Sequence, residues 1–318
     1  MKRFLKYLWA KKEQRLNWIL VLIVLSLIPG RNVFYDLELG EDRPLTRPKP
    51  VVYIPVSQSP VNITGVNAPW ISARGAVVID ADDKTILYSK NPDLKLLPAS
   101  TTKIMTALVA LQAYPLDKVI IIDSVHQTGQ VMKLQPGEKI TVENLLYGLL
   151  VNSANDAATI LAQNYPGGED EFIKAMNQKS RDLGLVNTNF TNASGLDAYG
   201  HFTTAHDLAL IAAEAMKQPV FKKIVGTLGI TVADVDNTVA HSLVTINELL
   251  GKVPGLSGVK TGWTEAAGEC FVAFVLRDNH QIITVVLGSA DRFGETQQLI
   301  NWVYSNFSWR VVAPASHR

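Results

Sequence analysis

The spacing of apolar residues changes character several times along the chain, and each change marks a region. From Leu16 to Gly30 there is no charge, and Trp18 to Ile28 is almost wholly apolar. Prolines then recur at Pro44, Pro48, Pro50, Pro55, Pro60 and Pro69. That density blocks helix and predicts an extended spacer over 31–70. Gly75–Asp80 and Thr85–Tyr88 are β-rich runs around the turn 81–84 and predict a hairpin. Ile104–Leu111 has helical spacing, with Pro98 placed in the first turn. Val142–Leu150, Asp156–Ala162, Phe172–Leu183 and Ala205–Met216 also predict helices. Near the end Gly258–Thr261, Phe271–Leu276 and Ile282–Leu287 are short β runs, punctuated by Gly268 and Asp278-Asn279, and predict an antiparallel meander. An amphipathic helix is predicted over 294–307. A hairpin and a meander separated by helices imply an α+β fold with one sheet built from both ends of the chain.

Composition supports this. Apolar residues are 47% and charged residues 19% of the chain, which suits a globular core. A formal net charge of +1 gives no electrostatic case for nucleic acid. The single cysteine, Cys270, lies in a strand-like run and reads as a buried small hydrophobe rather than a nucleophile. The six histidines show no His-Glu-x-x-His spacing, so no metal is expected.

Lys2, Arg3, Lys6, Lys11, Lys12 and Arg15 precede the apolar run, a pattern that directs export of the downstream chain. The run is shorter than the ~20 residues of a comfortable span, but no Ala-x-Ala-like cleavage site comes after it, and Arg15 and Arg31 can reach the two interfaces. The expected organisation is a cytoplasmic basic segment 1–15, a retained anchor 16–30, a linker 31–70, a catalytic domain 71–310 outside the membrane, and a tail 311–318.

Three short motifs carry candidate chemistry: Ser100-Thr-Thr-Lys103, Ser153-Ala-Asn155 and Lys260-Thr-Gly262. A second Ser-x-x-Lys, Ser257-Gly-Val-Lys260, lies in a glycine-rich turn and lacks a helix start. On a helix, residues three apart share a face, so Lys103 can reach the Ser100 hydroxyl. A lysine whose pKa is lowered by burial or a second cation, here Lys260, can serve as base to a serine nucleophile. The free amides and dipole of a helix start favour an oxyanion. Ser153 and Asn155 fall between two helices, where a hydroxyl can relay protons and an amide can hold a carbonyl; capping the next helix is the plain alternative. Lys260 and Thr261 on a strand can bind a carboxylate, and Gly262 permits close approach of substrate; a solvated strand end is the alternative.

Together these motifs match the set found in penicillin-binding proteins and class A β-lactamases, with Ala154 in place of the usual Asp. The resemblance extends through Pro98–Ala107, Leu134–Glu138, Val151–Ala157, Ser194-Gly-Leu-Asp197, Phe202–Ala205 and Gly258–Gly262. The chain from about Ile71 to Trp309 resembles the low-molecular-mass D-alanyl-D-alanine carboxypeptidases, the S11 serine peptidase family. That resemblance implies a β-lactamase-like fold with a five-stranded antiparallel sheet between helical layers. It implies Ser100 as acylated nucleophile, Lys103 as its base, and Ser153, Asn155 and Lys260 as relay and binding groups. The amides of Ser100 and Trp263 would form the oxyanion hole, and no cofactor is implied. The implied partners are peptidoglycan stem peptides and, as covalent inhibitors, β-lactams. Arg292, in an Asp-Arg pair after the last β run, is expected to help hold the substrate carboxylate; local pairing with Asp291 or Glu295 is the alternative. Many such relatives carry a second β-rich domain and a C-terminal anchor. Here the chain reaches Arg318 soon after the last predicted helix, so the N-terminal segment is expected to be the tether.

Other activities share these motifs. A class A β-lactamase needs a glutamate after the middle motif, and none occurs between Ser180 and Asp207. A D,D-endopeptidase acting on cross-links stays open. So does a β-lactam sensor or wall-binding module that acylates without turnover, although about fifteen residues ahead of the anchor are short for a signalling domain.

Overall fold

The computed structural model describes residues 58–125 and 128–311, together with Ile23. The chain divides into two compact units, Met1–Pro55 and Val56–Arg318, and the described domain lies within the second. Apart from Ile23, the expected segments 1–15 and 16–30, the linker up to residue 57 and the tail after Val311 lie outside the described residues. Among the described residues no helix is long and apolar enough to cross a membrane.

Strand β1 (Gln58–Asn62) falls where an extended linker is expected and pairs with the last strand of the chain. β2 (Gly75–Asp80) and β3 (Ile86–Lys90) form the predicted hairpin. A 3-10 turn (Ala99–Thr102) then runs into α1 (Lys103–Ala113), so Pro98 precedes a tight turn and is not inside the α-helix. Thr101 Oγ1 donates to Pro98 O at 2.6 Å and ties that turn. Next come β4 (Val119–Ile121), β5 (Lys139–Thr141), α2 (Val142–Leu150), α3 (Asn155–Gln163) and α4 (Glu169–Asp182). After them lie α5 (Ala205–Ala215), α6 (Pro219–Val225), and a small hairpin of β6 (Gly229–Ala233) and β7 (Ala240–Val244). β8 (Leu256–Thr264), β9 (Gly268–Arg277) and β10 (His280–Ser289) make the meander. α7 (Arg292–Asn306) and β11 (Phe307–Val311) complete the domain.

The main sheet is five-stranded and antiparallel, in the order β3-β2-β10-β9-β8, so the two ends of the chain build one sheet as expected. β2 is buried along its whole length because both of its faces are covered. Val77, Ile79, Val272, Phe274, Ile283 and Val285 face one core, which they share with α1 and α5. Their neighbours Ala76, Val78, Phe271, Ala273, Val275 and Ile282 face a second core closed by Leu299, Ile300 and Val303 of α7. The strand period of two splits each apolar run between the layers. Two carboxylates secure the segments that frame the sheet. Glu295 accepts from the Ser72 and Ala73 amides and from Ser289 Oγ. Asp156 accepts from the amides of Met132, Lys133 and Leu134 at 3.0, 2.9 and 3.1 Å.

Asp156 is buried, and Asp156→Ala removes the acceptor from three amides. At about 1–3 kcal/mol for each buried group left unsatisfied, the domain is expected to lose about 3 kcal/mol or more. Urea unfolding checks this: the midpoint should fall with the slope unchanged, and a loss under about 1 kcal/mol would show that other groups hold the 132–134 segment.

Candidate active site

Ser100 lies in the 3-10 turn and is half-exposed, whereas Lys103 at the start of α1 is fully buried. Ala99 has φ +48°, a conformation that costs a non-glycine residue about 1–2 kcal/mol. Its surroundings enforce it. A Cβ on Gly195 would lie 2.0 Å from Ala99 O, and one on Gly262 would lie 2.9 Å from the Ser100 amide nitrogen. Only glycine at these two positions lets the loop and strand β8 close on the turn.

Lys103 Nζ donates to Ser100 Oγ at 3.0 Å, to Asn155 Oδ1 at 2.7 Å and to Ser194 O at 2.6 Å. Burial lowers its pKa to about 7, while the Asp156 carboxylate partly opposes that effect. One turn along α1, Thr106 Oγ1 donates to Ala193 O at 2.6 Å, so the helix grips two successive carbonyls of the same loop. His201 holds that region from behind. Its Nδ1 accepts the Thr191 amide at 3.0 Å, which leaves Nε2–H to donate to Thr102 Oγ1 at 2.9 Å. Burial drops its pKa to about 4, which keeps it neutral.

The cleft in front of Ser100 has a volume of about 690 Å³ and is lined by Ser153, Asn155, Thr261, Gly262, Trp263 and Arg292 among others. Ser153 is buried with φ +59°, in the break between α2 and α3. Asn155 lines the cleft, and both ends of its amide also bond to the protein. Its oxygen accepts from Lys103, and its Nδ2 donates to Thr128 O at 2.8 Å. Neither Ser153 nor Asn155 caps α3, whose N-cap is Ala154.

Lys260 is buried behind the lining, and its Nζ donates to Thr261 O at 2.9 Å. Its pKa lies well below the usual lysine value, chiefly through burial, with the charges of Lys103 and Arg292 adding to the effect. Burial is the main cause of the lowered pKa at both lysines, and the positive charge of Lys103 adds to the lowering at Lys260. Thr261 Oγ1 is buried and without a partner among the described residues. Arg292 Nη1 donates to Gly262 O at 2.9 Å, and its guanidinium stacks 4.8 Å from the Phe293 ring. Neither carboxylate considered as its local partner takes it: Asp291 caps α7 by accepting from the Gly294 amide, and Glu295 is committed to Ser72, Ala73 and Ser289. Trp263 is mostly exposed at the cleft mouth. Cys270 is buried in β9, its thiol pushed up to about 11 by burial.

The sequence motifs assign no role to Ser194 O, Asp156 or His201, although Ser194-Gly-Leu-Asp197 belongs to the resemblance. The signal within that run is Gly195, a glycine required by close approach. The arrangement can do acyl transfer: a hydroxyl bonded to a nitrogen whose pKa of about 7 leaves a substantial neutral fraction near pH 7, in a cleft with convergent donors.

This is the fold found in DD-transpeptidases and penicillin-binding protein homologues. Residues 62–291 match the Peptidase_S11 family, D-alanyl-D-alanine carboxypeptidase, and the chain belongs to that family. It is 36% identical to D-alanyl-D-alanine carboxypeptidase DacF of Bacillus subtilis, over 74% of this chain and 63% of that protein. It is 34% identical to a D-alanyl-D-alanine endopeptidase of Pseudomonas aeruginosa, over 78% of this chain and 83% of that protein. The crystal structure of the Streptomyces K15 DD-transpeptidase superposes with a TM-score of 0.71 at 32% identity, covering 76% of this chain and all of that one. The chain spans less than two thirds of the length of DacF and of DacC from Escherichia coli, at 63% and 64%.

A lysine that acts as base must be neutral. With a pKa of about 7, the rate at which a β-lactam acylates the protein should rise with pH through neutrality and then level off. Asp156→Asn removes the charge that raises this pKa and should move the rise to lower pH. Stopped-flow acylation across the neutral range checks both; a flat profile would take the base role from Lys103.

Proposed function

We propose that this chain is a serine-type D-Ala-D-Ala carboxypeptidase of peptidoglycan stem pentapeptides, inhibited by penicillin through acylation of Ser100. The observation that carries the reading is the 3.0 Å hydrogen bond between Ser100 Oγ and the buried Lys103 Nζ. Neutral Lys103 takes the hydroxyl proton as Ser100 Oγ attacks the carbonyl carbon of the penultimate D-alanine. The oxyanion is held by the amides of Ser100 and Trp263, a role supported by the close approach of Gly262 to the Ser100 amide. Collapse breaks the peptide bond, and the departing amine of the terminal D-alanine takes a proton through Lys103 and Ser153. Water then hydrolyses the ester, with the same lysine as base.

Asn155 acts by fixing Lys103 and the 128–130 wall, a role supported by its two committed amide ends. Lys260 acts from behind, holding the Thr261 carbonyl and adding positive potential. Thr261 Oγ1 and Arg292 bind the substrate carboxylate, supported by the unpartnered hydroxyl and the unpartnered Arg292 Nε. The substrate lies along β8, the edge strand of the sheet, where backbone groups are free to pair with an extended peptide. The protein works outside the cytoplasm, tethered by 16–30, a reading supported by the basic residues ahead of that apolar run.

An endopeptidase reading stands beside this one because two of the relatives are so named, and the chain covers 83% and 84% of their length. Incubating the full chain with a pentapeptide and with a cross-linked dimer in parallel decides between them. Release of free D-alanine is the expected result; dimer cleavage without it would replace the proposal by the endopeptidase. Penicillin treatment followed by mass spectrometry should place one adduct on Ser100, and an adduct surviving Ser100→Ala would end the assignment. Arg292→Ala should lower kcat/KM on the pentapeptide by about tenfold or more, since a hydrogen bond to a charged group contributes about 1.5–3 kcal/mol. The loss should be smaller on a peptide with an amidated C-terminus, and equal losses would remove Arg292 from carboxylate binding.

A further inference from the structure

Two elements hold the cleft wall at Gly129 and Gln130, and one of them lies outside the three motifs. The first is α3. The Asn155 amide donates to Gln130 O at 2.7 Å, Asn155 Nδ2 donates to Thr128 O at 2.8 Å, and Asp156 takes the amides of residues 132–134. The second is the hairpin of β6 and β7, through His241. That imidazole is buried, with Nδ1 2.8 Å from Met132 O and Nε2 2.7 Å from Glu138 Oε1. A carbonyl only accepts, so Nδ1 carries a hydrogen and donates to Met132 O. The contact between Nε2 and Oε1 then holds one further proton, on the ring or on the carboxyl, because without it two lone pairs would oppose each other. Glu138 Oε2 accepts the Gln135 amide at 3.0 Å. One imidazole and one carboxyl thus close the 132–138 loop and tie it to β7.

β7 leads to the cleft as well. Ile246, two residues past the end of that strand, borders the cleft together with Gly129 and Gln130. The hairpin has attachments of its own: the Val235 amide donates to Lys139 O at 2.7 Å, Asn144 Nδ2 donates to Ala233 O at 2.8 Å, and Lys139 pairs with Asp236 at 3.0 Å. Its place therefore does not depend on His241 alone. We infer that His241, backed by Glu138, is a positioning residue for substrate binding, which sets the Gly129–Gln130 wall against Ile246 and so fixes the width of the cleft in front of Ser100. It touches neither the substrate nor the reacting atoms. The effect falls on binding, because Lys103 has its bonds to Ser100 and to Ser194 O apart from the wall. The carboxypeptidase reading enters only in the choice of peptide for the test.

The test keeps the full chain and compares Glu138→Gln, His241→Leu and the double variant His241→Leu/Glu138→Met. Glu138→Gln preserves every bond: its amide nitrogen donates to a neutral Nε2, its oxygen accepts the Gln135 amide, and Nδ1 still donates to Met132 O. His241→Leu leaves a buried carboxylate without its partner and can lose the fold on that account. The double variant replaces both partners by apolar groups and keeps the comparison open, with circular dichroism as the check on folding. Release of D-alanine from a pentapeptide gives kcat and KM. The concentration dependence of acylation by a fluorescent penicillin separates binding from the acylation step. In the double variant, KM and the penicillin dissociation constant should rise about three- to tenfold, the effect of one lost hydrogen bond, with kcat and the limiting acylation rate within about twofold. Glu138→Gln should match the unsubstituted protein. A lower melting temperature with KM and penicillin binding unchanged would leave His241 a purely structural role and overturn the proposal. So would a Glu138→Gln protein as impaired as the double variant. Absence of D-alanine release would count against the carboxypeptidase reading instead, and the penicillin constants would still decide this one.

Discussion

A lysine amine with no access to solvent organises this domain. Burying Lys103 disfavours its charged form, and an isolated ammonium in such a place would cost several kcal/mol. The structure meets that cost with three acceptors from three separate segments: the 3-10 turn, the start of α3, and the loop after α4. Each segment is itself fixed by another bond. Asp156 ties α3 to residues 132–134, Thr106 grips Ala193, and His201 links Thr191 to Thr102. Folding and the placement of Lys103 beside Ser100 thus draw on the same contacts. Burial brings the pKa of a lysine held this way down to about 7.

The sheet supplies the opposite wall. Helical layers cover both faces, so the free backbone of β8 lies along its outer edge. An open edge is ordinarily a liability, because it invites pairing with any extended chain. Here the edge is bounded by the turn carrying Ser100 and by the loops at 128–130 and 194–197. Pairing is thereby restricted to a peptide that fits between them. Gly262 is the closest point of that approach, and a side chain there would push strand and nucleophile apart.

The hairpin, the meander and the body of α1 are legible in the sequence because their signals are local: alternating, periodic or continuous apolar runs bounded by turn residues. The motifs are legible for the same reason, each lying within four residues. What escapes is long in range or carried by the backbone. Lys103 meets Ser194 through a carbonyl 91 positions away, and no side-chain pattern records a carbonyl. β1 is hidden in the proline-rich stretch because Pro60 argues against a strand, yet a two-stranded ribbon has an outer edge where a missing N–H costs nothing. β4, β5, β6 and β7 are three to five residues long, too short to separate from turns by periodicity. The middle motif likewise gives no sign that the Asn155 oxygen accepts from a buried amine 52 positions away.

Arg292 shows how an unfinished set of hydrogen bonds can point to a ligand. Among the described residues its Nε and the Thr261 hydroxyl are both buried without partners, and each such group costs about 1–3 kcal/mol if nothing satisfies it. Their neighbours are committed elsewhere: Asp291 to the helix cap, Glu295 to Ser72 and Ser289, Glu269 to the Arg292 amide. In a domain of marginal stability, two such groups bordering one cleft form a place where binding returns the energy. On the proposed carboxypeptidase reading, a peptide that ends beside Thr261 and Arg292 would bring a carboxylate to this part of the cleft. On that reading the local cost would become selectivity, since a chain continuing past this point would bring no carboxylate there.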